Sequence, residues 1–97
     1  MSEAPAEGSI VRRTVTIMNR RGLHARAAAR FVKLAAQYRA DISVAKNGTV
    51  VSGLSIMGLM MLAAGPGTEI EICASGAQAV EAIDALDALV AGKFDEE

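Results

Sequence analysis

The chain carries one histidine, His24, and its neighbours decide what chemistry it can do. It sits where the turn-like stretch Asn19-Arg20-Arg21-Gly22 gives way to a run with helical spacing, which places it at a helix amino terminus. Such a terminus presents backbone N–H groups without intrahelical acceptors and a partial positive charge, a setting that suits an anion and above all a phosphate. Arg26 follows two residues later, and a guanidinium can fork onto phosphate oxygens. Between Glu7 and Asp41 no carboxylate is present to compete for these donors. A neutral imidazole is a nucleophile. The combination suits a histidine that accepts a phosphoryl group, holds it beside preorganised donors and surrenders it again. A lone histidine at a helix start is more often an inert surface residue, so the reading rests on the anion-binding surroundings rather than on the histidine itself.

The elements that must position these residues follow from periodicity. Val11 to Met18 predicts a strand, with Val11, Val15 and Ile17 on one face and Arg12, Thr14 and Thr16 on the other. From His24 the spacing of Ala28, Phe31, Val32 and Ala35 predicts a helix whose opposite stripe is Arg26, Arg30, Lys33 and Gln37, ending near Tyr38 to Ala40. Ile42 to Ala45 and Thr49 to Ser52 flank Asn47-Gly48, the dipeptide that most strongly signals a hairpin. Leu54 to Ala64 reads as a short helix stopped by Gly65-Pro66-Gly67. Thr68 to Ala74 alternates, with Ile70, Ile72 and Ala74 inward and Cys73 outward. Ser75-Gly76-Ala77-Gln78 has the spacing of a capping box and opens a last helix that buries Ala79, Ile83, Leu86 and Val90 and ends at Gly92. The order β-α-β-β-α-β-α, with every strand wet on one face, predicts an α+β fold: a four-stranded antiparallel sheet covered on one face by three helices. Residues 1–9 read as a flexible tail, 10–92 as the domain and 93–97 as an acidic tail.

Composition narrows the function classes. Ninety-seven residues make one small domain. Half the chain is apolar (52%), but much of that is alanine and only 3% is aromatic: Phe31, Tyr38 and Phe94. A single cysteine, Cys73, excludes an internal disulfide and fits a reducing cytoplasm. One cysteine and one histidine cannot make a Cys/His zinc site, and no signal or membrane-spanning pattern is evident. The net charge of −1 conceals an asymmetry. Arg12, Arg13, Arg20, Arg21, Arg26, Arg30, Lys33 and Arg39 are eight of the ten bases, whereas beyond Asn47 Lys93 stands alone against eight carboxylates. The two signs are expected to segregate into an anion-attracting pole and an anion-repelling one.

Gly22-Leu23-His24-Ala25-Arg26, followed by an alanine-rich helix, resembles the active-site motif of the HPr family, the histidine phosphocarriers of the bacterial phosphotransferase system. Ser55-Ile56-Met57-Gly58-Leu59-Met60 is similar to that family's regulatory serine segment, and the element order agrees over roughly residues 10 to 92. The resemblance implies an open-faced β-sandwich. It further implies that His24 carries a phosphoryl group on Nδ1, that Arg26 neutralises it, that phosphorylated enzyme I donates it from phosphoenolpyruvate, and that an enzyme IIA-type protein accepts it, in sugar uptake or nitrogen-related regulation. Such a protein is a cytoplasmic monomer and needs no cofactor. It is half of a transfer reaction, not a self-sufficient enzyme.

The sequence departs from the family at two places. Ala27 replaces the proline that usually follows the arginine and so returns one N–H to the helix start. Arg21 stands where sugar-transport members often carry asparagine. The Asn19-x-x-Gly22 form, the Met60-Met61-Leu62 run and the acidic end from Phe94 resemble the nitrogen-related branch more closely. Ser55 is either a helix-capping serine or, as the resemblance implies, a site for an HPr kinase/phosphorylase, where phosphate would add negative charge to a docking surface. That surface is expected to use Ala27, Arg30, Lys33, Met57 and Met60, the methionines being divided between core and surface. Two alternatives stand beside the phosphocarrier. One is a nucleic-acid-binding module on the basic pole, against which stands the lack of paired aromatics for base stacking. The other is a serine-regulated binding module with no phosphotransfer.

Overall fold

The computed structural model describes residues 9–96. Except for Ser9, the expected amino-terminal tail lies outside the described residues. Seven elements follow in order: β1 (Val11–Thr16), α1 (Ala25–Ala35), β2 (Asp41–Lys46), β3 (Thr49–Ser52), α2 (Ile56–Met61), β4 (Glu69–Ser75) and α3 (Ala79–Ala91). The strands form one antiparallel sheet in the order β1-β4-β2-β3. The last strand in sequence is therefore inserted between the first and second. Alternation along the strands sets the register, because Val15 pairs with Ile70 and Val44 with Ile72, so the buried side chains of neighbouring strands lie on the same face. The helices cover that face, and Phe31, Ile83, Leu86 and Val90 join it in one core. Arg13, on β1, ties the sheet to α3 through Asp84 (2.8 Å) and Asp87 (3.1 Å).

The Asn47-Gly48 hairpin forms as the dipeptide predicts, with φ of 50° and 86° at its two central residues. Two expected helix signals act differently. Ser75 belongs to β4 and does not cap α3; Gln78 occupies the cap position without a side-chain cap bond. Its amide instead clasps the chain entering β2, accepting from the Arg39 N–H at Oε1 (2.8 Å) while its own backbone N–H donates to the Arg39 carbonyl (2.9 Å). At α2 the helix ends before the glycine-proline segment. Ala63 adopts a left-handed φ of 53°, and the Lys46 ammonium donates to the Leu62 carbonyl at 2.9 Å, so a side chain from β2 satisfies the helix end.

The largest departure is the carboxyl-terminal segment, which does not behave as a solvated acidic tail. Lys93, Phe94 and Asp95 form a left-handed turn, with φ of 59°, 55° and 62°. This turn packs on α1 and α3, and Phe94 is completely buried. Left-handed geometry costs an L-residue about 1–2 kcal/mol, so three in succession require tertiary contacts to hold them. With only three aromatics in the chain, Phe94 supplies one of the two largest buried side chains in the core.

Candidate functional site

The turn Asn19 to Gly22 and the start of α1 set the position of the histidine. Gly22 donates to the Asn19 carbonyl (3.1 Å), and Leu23 donates to the Ala64 carbonyl (2.9 Å), anchoring the approach to the helix on the loop after α2. His24 is the N-cap residue of α1, with extended backbone angles, and its carbonyl accepts the Ala28 N–H at 2.8 Å. Its side chain makes no cap bond, which leaves the first-turn amides of Ala25, Arg26 and Ala27 without an intrahelical acceptor. No acidic residue lies in that first turn. The imidazole is 16% exposed, so it is held against the protein but not sealed from solvent.

The hold comes from the far end of the chain. Glu96 Oε2 lies 2.5 Å from His24 Nε2, and its other oxygen, Oε1, accepts from Asn19 Nδ2 at 3.1 Å. Asn19, only 1% exposed, also donates the same amide to the Gly22 carbonyl at 2.8 Å. Arg30 donates to the Phe94 carbonyl. Among the described residues, His24 Nδ1 has no hydrogen-bond partner. Arg20, Arg21, Arg26 and Arg30, together with Asp95 and Glu96, line a cleft of about 380 Å³. A second hollow, of about 250 Å³, lies between His24, Arg21, Met60 and Ala64. Arg21 is common to both, and Glu96 links the arginine cleft to the ring.

The expected segregation of charge is thus corrected at the site. Carboxylates enter the basic pole through tertiary folding, although none is near in sequence. Burial opposes ionisation of Glu96, but hydrogen bonds from His24 and Asn19 and the neighbouring charges of His24 and Arg30 outweigh it and hold its carboxyl below the ordinary range. The sign of the linkage follows. A carboxyl whose folded pKa is depressed stabilises the fold above its unfolded value, near 4.5, and loses that contribution as pH falls through the lower folded value. The difference in melting temperature between the wild type and Glu96→Ala is therefore expected to shrink as pH falls through the lower folded value, as read by thermal unfolding at a series of pH values.

The remaining candidates divide. Ser55 caps α2 and is half-buried, its Oγ accepting from the Gly58 N–H at 2.9 Å. Met57 (70% exposed) and Met60 (40%) stand on the surface with Ile56, Met61 and Leu54, and α2 commits only Leu59 to the core. Lys33 is exposed, and Arg30 is half-buried and engaged with the carboxyl-terminal turn. Ala27 is corrected: its methyl is fully buried, since it falls on the core stripe with Ala28 and Phe31, and cannot form part of a docking surface. Sequence reasoning missed Asn19, Phe94 and Glu96. The available signal was an isolated aromatic, Phe94, set in an otherwise charged segment.

An open-faced sandwich that displays a histidine at a helix amino terminus defines the class: a small protein of the phosphocarrier type. The family model described as "PTS HPr component phosphorylation site" matches residues 11–92. A phosphocarrier protein HPr of Neisseria meningitidis is 46% identical, the match covering 90% of this chain and 98% of the relative. A phosphocarrier protein NPr of Shewanella violacea is 43% identical over 87% and 92%. The crystal structure of an HPr from Bacillus anthracis superposes with a TM-score of 0.81 at 44% identity, covering 84% of this chain and 98% of that one. The chain belongs to the HPr family of phosphocarrier proteins. Among the described residues no helix is long and apolar enough to cross a membrane.

Proposed function

We propose that this protein accepts a phosphoryl group on His24 from phosphorylated enzyme I, charged from phosphoenolpyruvate, and passes it to an enzyme IIA-type protein. The observation that carries the reading is the placement of a partly exposed imidazole at the amino end of α1, with unpaired first-turn amides and a four-arginine cleft linked to it through Glu96. In the acceptance step the Nδ1 lone pair attacks phosphorus, the N–P bond to the donor breaks, and the donor nitrogen keeps the electron pair. Arg26 and the helix amides neutralise the phosphoryl oxygens. Donation runs the same step in reverse toward the acceptor. The exposed methionines of α2, beside the basic rim, form an adaptable surface on which both partners dock in turn, and Lys33 belongs to that rim. Ser55 lies at the edge of the patch, where phosphate added by an HPr kinase/phosphorylase would weaken docking of an acidic partner. The protein acts in the cytoplasm as a monomer.

The route is sugar uptake or nitrogen-related regulation, and the acceptor distinguishes them. The lack of paired aromatics for base stacking counts against a nucleic-acid partner.

Incubation with phosphoenolpyruvate and enzyme I is expected to add one acid-labile, alkali-stable phosphoryl group. His24→Ala is expected to add none, and Arg26→Ala to label on the order of a hundredfold more slowly. Labelling of the alanine variant at the wild-type level would overturn the assignment. Chasing the labelled protein into candidate acceptors identifies the route.

A further inference from the structure

We propose that Lys46 is a positioning residue for His24: its ammonium, bound to the carbonyls that end α2, holds the loop on which the histidine's approach to α1 is seated. This role rests on the phosphocarrier reading. It adds a residue from β2, a strand that contributes nothing to the arginine cleft or to the hollow beside the ring.

Alternation along β2 buries Ile42 and Val44, and Lys46, two residues on, keeps the same parity at the strand end. The half-buried side chain therefore lies on the helix-covered side of the sheet. Its ammonium donates to the Leu62 carbonyl at 2.9 Å and to the Ala63 carbonyl at 3.4 Å. Among the described residues no backbone N–H donates to either carbonyl, because the chain leaves the helix through the left-handed Ala63. The next carbonyl, that of Ala64, accepts the Leu23 N–H at 2.9 Å. Three successive carbonyls are thus divided between two distant segments. Two are held by the lysine, and the third holds the residue before His24.

Two consequences reach the histidine. The first is geometric. Leu62 and Ala64 are buried, and Ala63, Ala64 and Gly65 line the hollow with His24, Met60 and Arg21. A shift of this loop passes to Leu23 through one hydrogen bond and to His24 one residue later. Group transfer is sensitive to such shifts, since a misplacement of about 1 Å can cost on the order of a hundredfold. The second is electrostatic. Carbonyls left bare at a helix end carry partial negative charge, which opposes an anion brought to the same hollow. The lysine offsets that charge with its own, so a phosphoryl group arriving at His24 meets less repulsion.

Lys46→Met keeps most of the apolar stem and removes the donor. In the enzyme I assay its transfer rate is expected to fall about tenfold, with the KM for enzyme I little changed because the exposed face of α2 is untouched. Lys46→Arg retains a cationic donor and is expected to recover most of the rate. Amide hydrogen exchange of the full chain supplies a second measurement that needs no transfer. In Lys46→Met the Leu23 N–H is expected to exchange on the order of tenfold faster, while the amides of β1 and β4 keep their protection. A merely structural role predicts instead that all slow amides lose protection together. The proposal is overturned if Lys46→Met accepts phosphoryl groups at the wild-type rate or loses only in KM. It is equally overturned if Leu23 keeps its protection, if protection falls uniformly, or if the arginine variant is as slow as the methionine one. Failure of the wild type to be labelled at all would sink the phosphocarrier reading instead; the exchange of Leu23 tests the link from Lys46 to the histidine's approach on its own.

Discussion

Phe94→Ala is expected to destabilise the protein by about 3 kcal/mol and, at the same time, to remove Glu96 from His24. The magnitude follows from the forces on the carboxyl-terminal turn. Three left-handed residues together cost about 3–6 kcal/mol. Burying the Phe94 ring returns about 1.5–3 kcal/mol. The hydrogen bonds of the Arg30 guanidinium to the Phe94 carbonyl and of Glu96 to His24 and Asn19 involve charged groups, each contributing about 1.5–3 kcal/mol. No single contact outweighs the strain, so loss of the ring is expected to release the segment as a whole. Release relieves the backbone strain, which keeps the cost at the low end of the usual range for a buried phenylalanine. Urea unfolding gives the stability change. The ¹⁵N spectrum of His24 should at the same time resemble that of Glu96→Ala. Phe94→Leu, which keeps most of the apolar volume, is expected to lose less than about 1.5 kcal/mol and to retain the wild-type ring spectrum. A fully stable Phe94→Ala would mean that the turn does not complete the core.

Gly22→Ala is expected to cost a similar amount, about 3 kcal/mol, from the other side of the histidine. Gly22 has a φ of +64°, and a Cβ built there lies 2.4 Å from the Ala64 carbonyl oxygen and 2.9 Å from the Gly65 Cα. Both obstacles are backbone and cannot rotate away. The substitution therefore pushes the turn off the loop after α2, and the Leu23 N–H to Ala64 carbonyl bond that sets the approach to α1 is lost with it. His24, two residues on, shifts relative to Met60 and Ala64, so phosphoryl acceptance is expected to fall together with stability. Gly48→Ala provides the control. Its φ is +86°, but a Cβ there meets nothing within 4 Å, so only the conformational cost of about 1 kcal/mol applies. Urea midpoints for the two variants separate the steric contribution from the conformational one. Equal midpoints would show that the Gly22–Ala64 approach does not matter.

Much of the scaffold was legible because it depends on neighbours in sequence. Alternation placed Ile70, Ile72 and Ala74 on the core face of β4, and three- and four-residue spacing placed Ala28, Phe31 and Ala35 on the buried side of α1. Asn47-Gly48 marked the hairpin through its tolerance of positive φ. The site was half legible for the same reason. The place of His24 at a helix start is a local fact, as is the arginine two residues later.

What sequence could not yield are the meetings between distant segments. The capping-box spacing at Ser75 was outweighed by the pairing of β4, whose ladder claims that residue as strand. The insertion of β4 between β1 and β2 is a property of the whole sheet. Charge segregation failed because electrostatics act through space: Glu96 is 72 positions from His24 along the chain, yet 2.5 Å from it in the fold. By itself the sequence determined the elements, the faces they bury and the residue able to carry a phosphoryl group, since short-range periodicity and backbone preference govern all three. Only the tertiary structure decided what stands against the ring, because the carboxylate at Nε2 is delivered by a strained turn that holds only when Phe94 is seated in the assembled core.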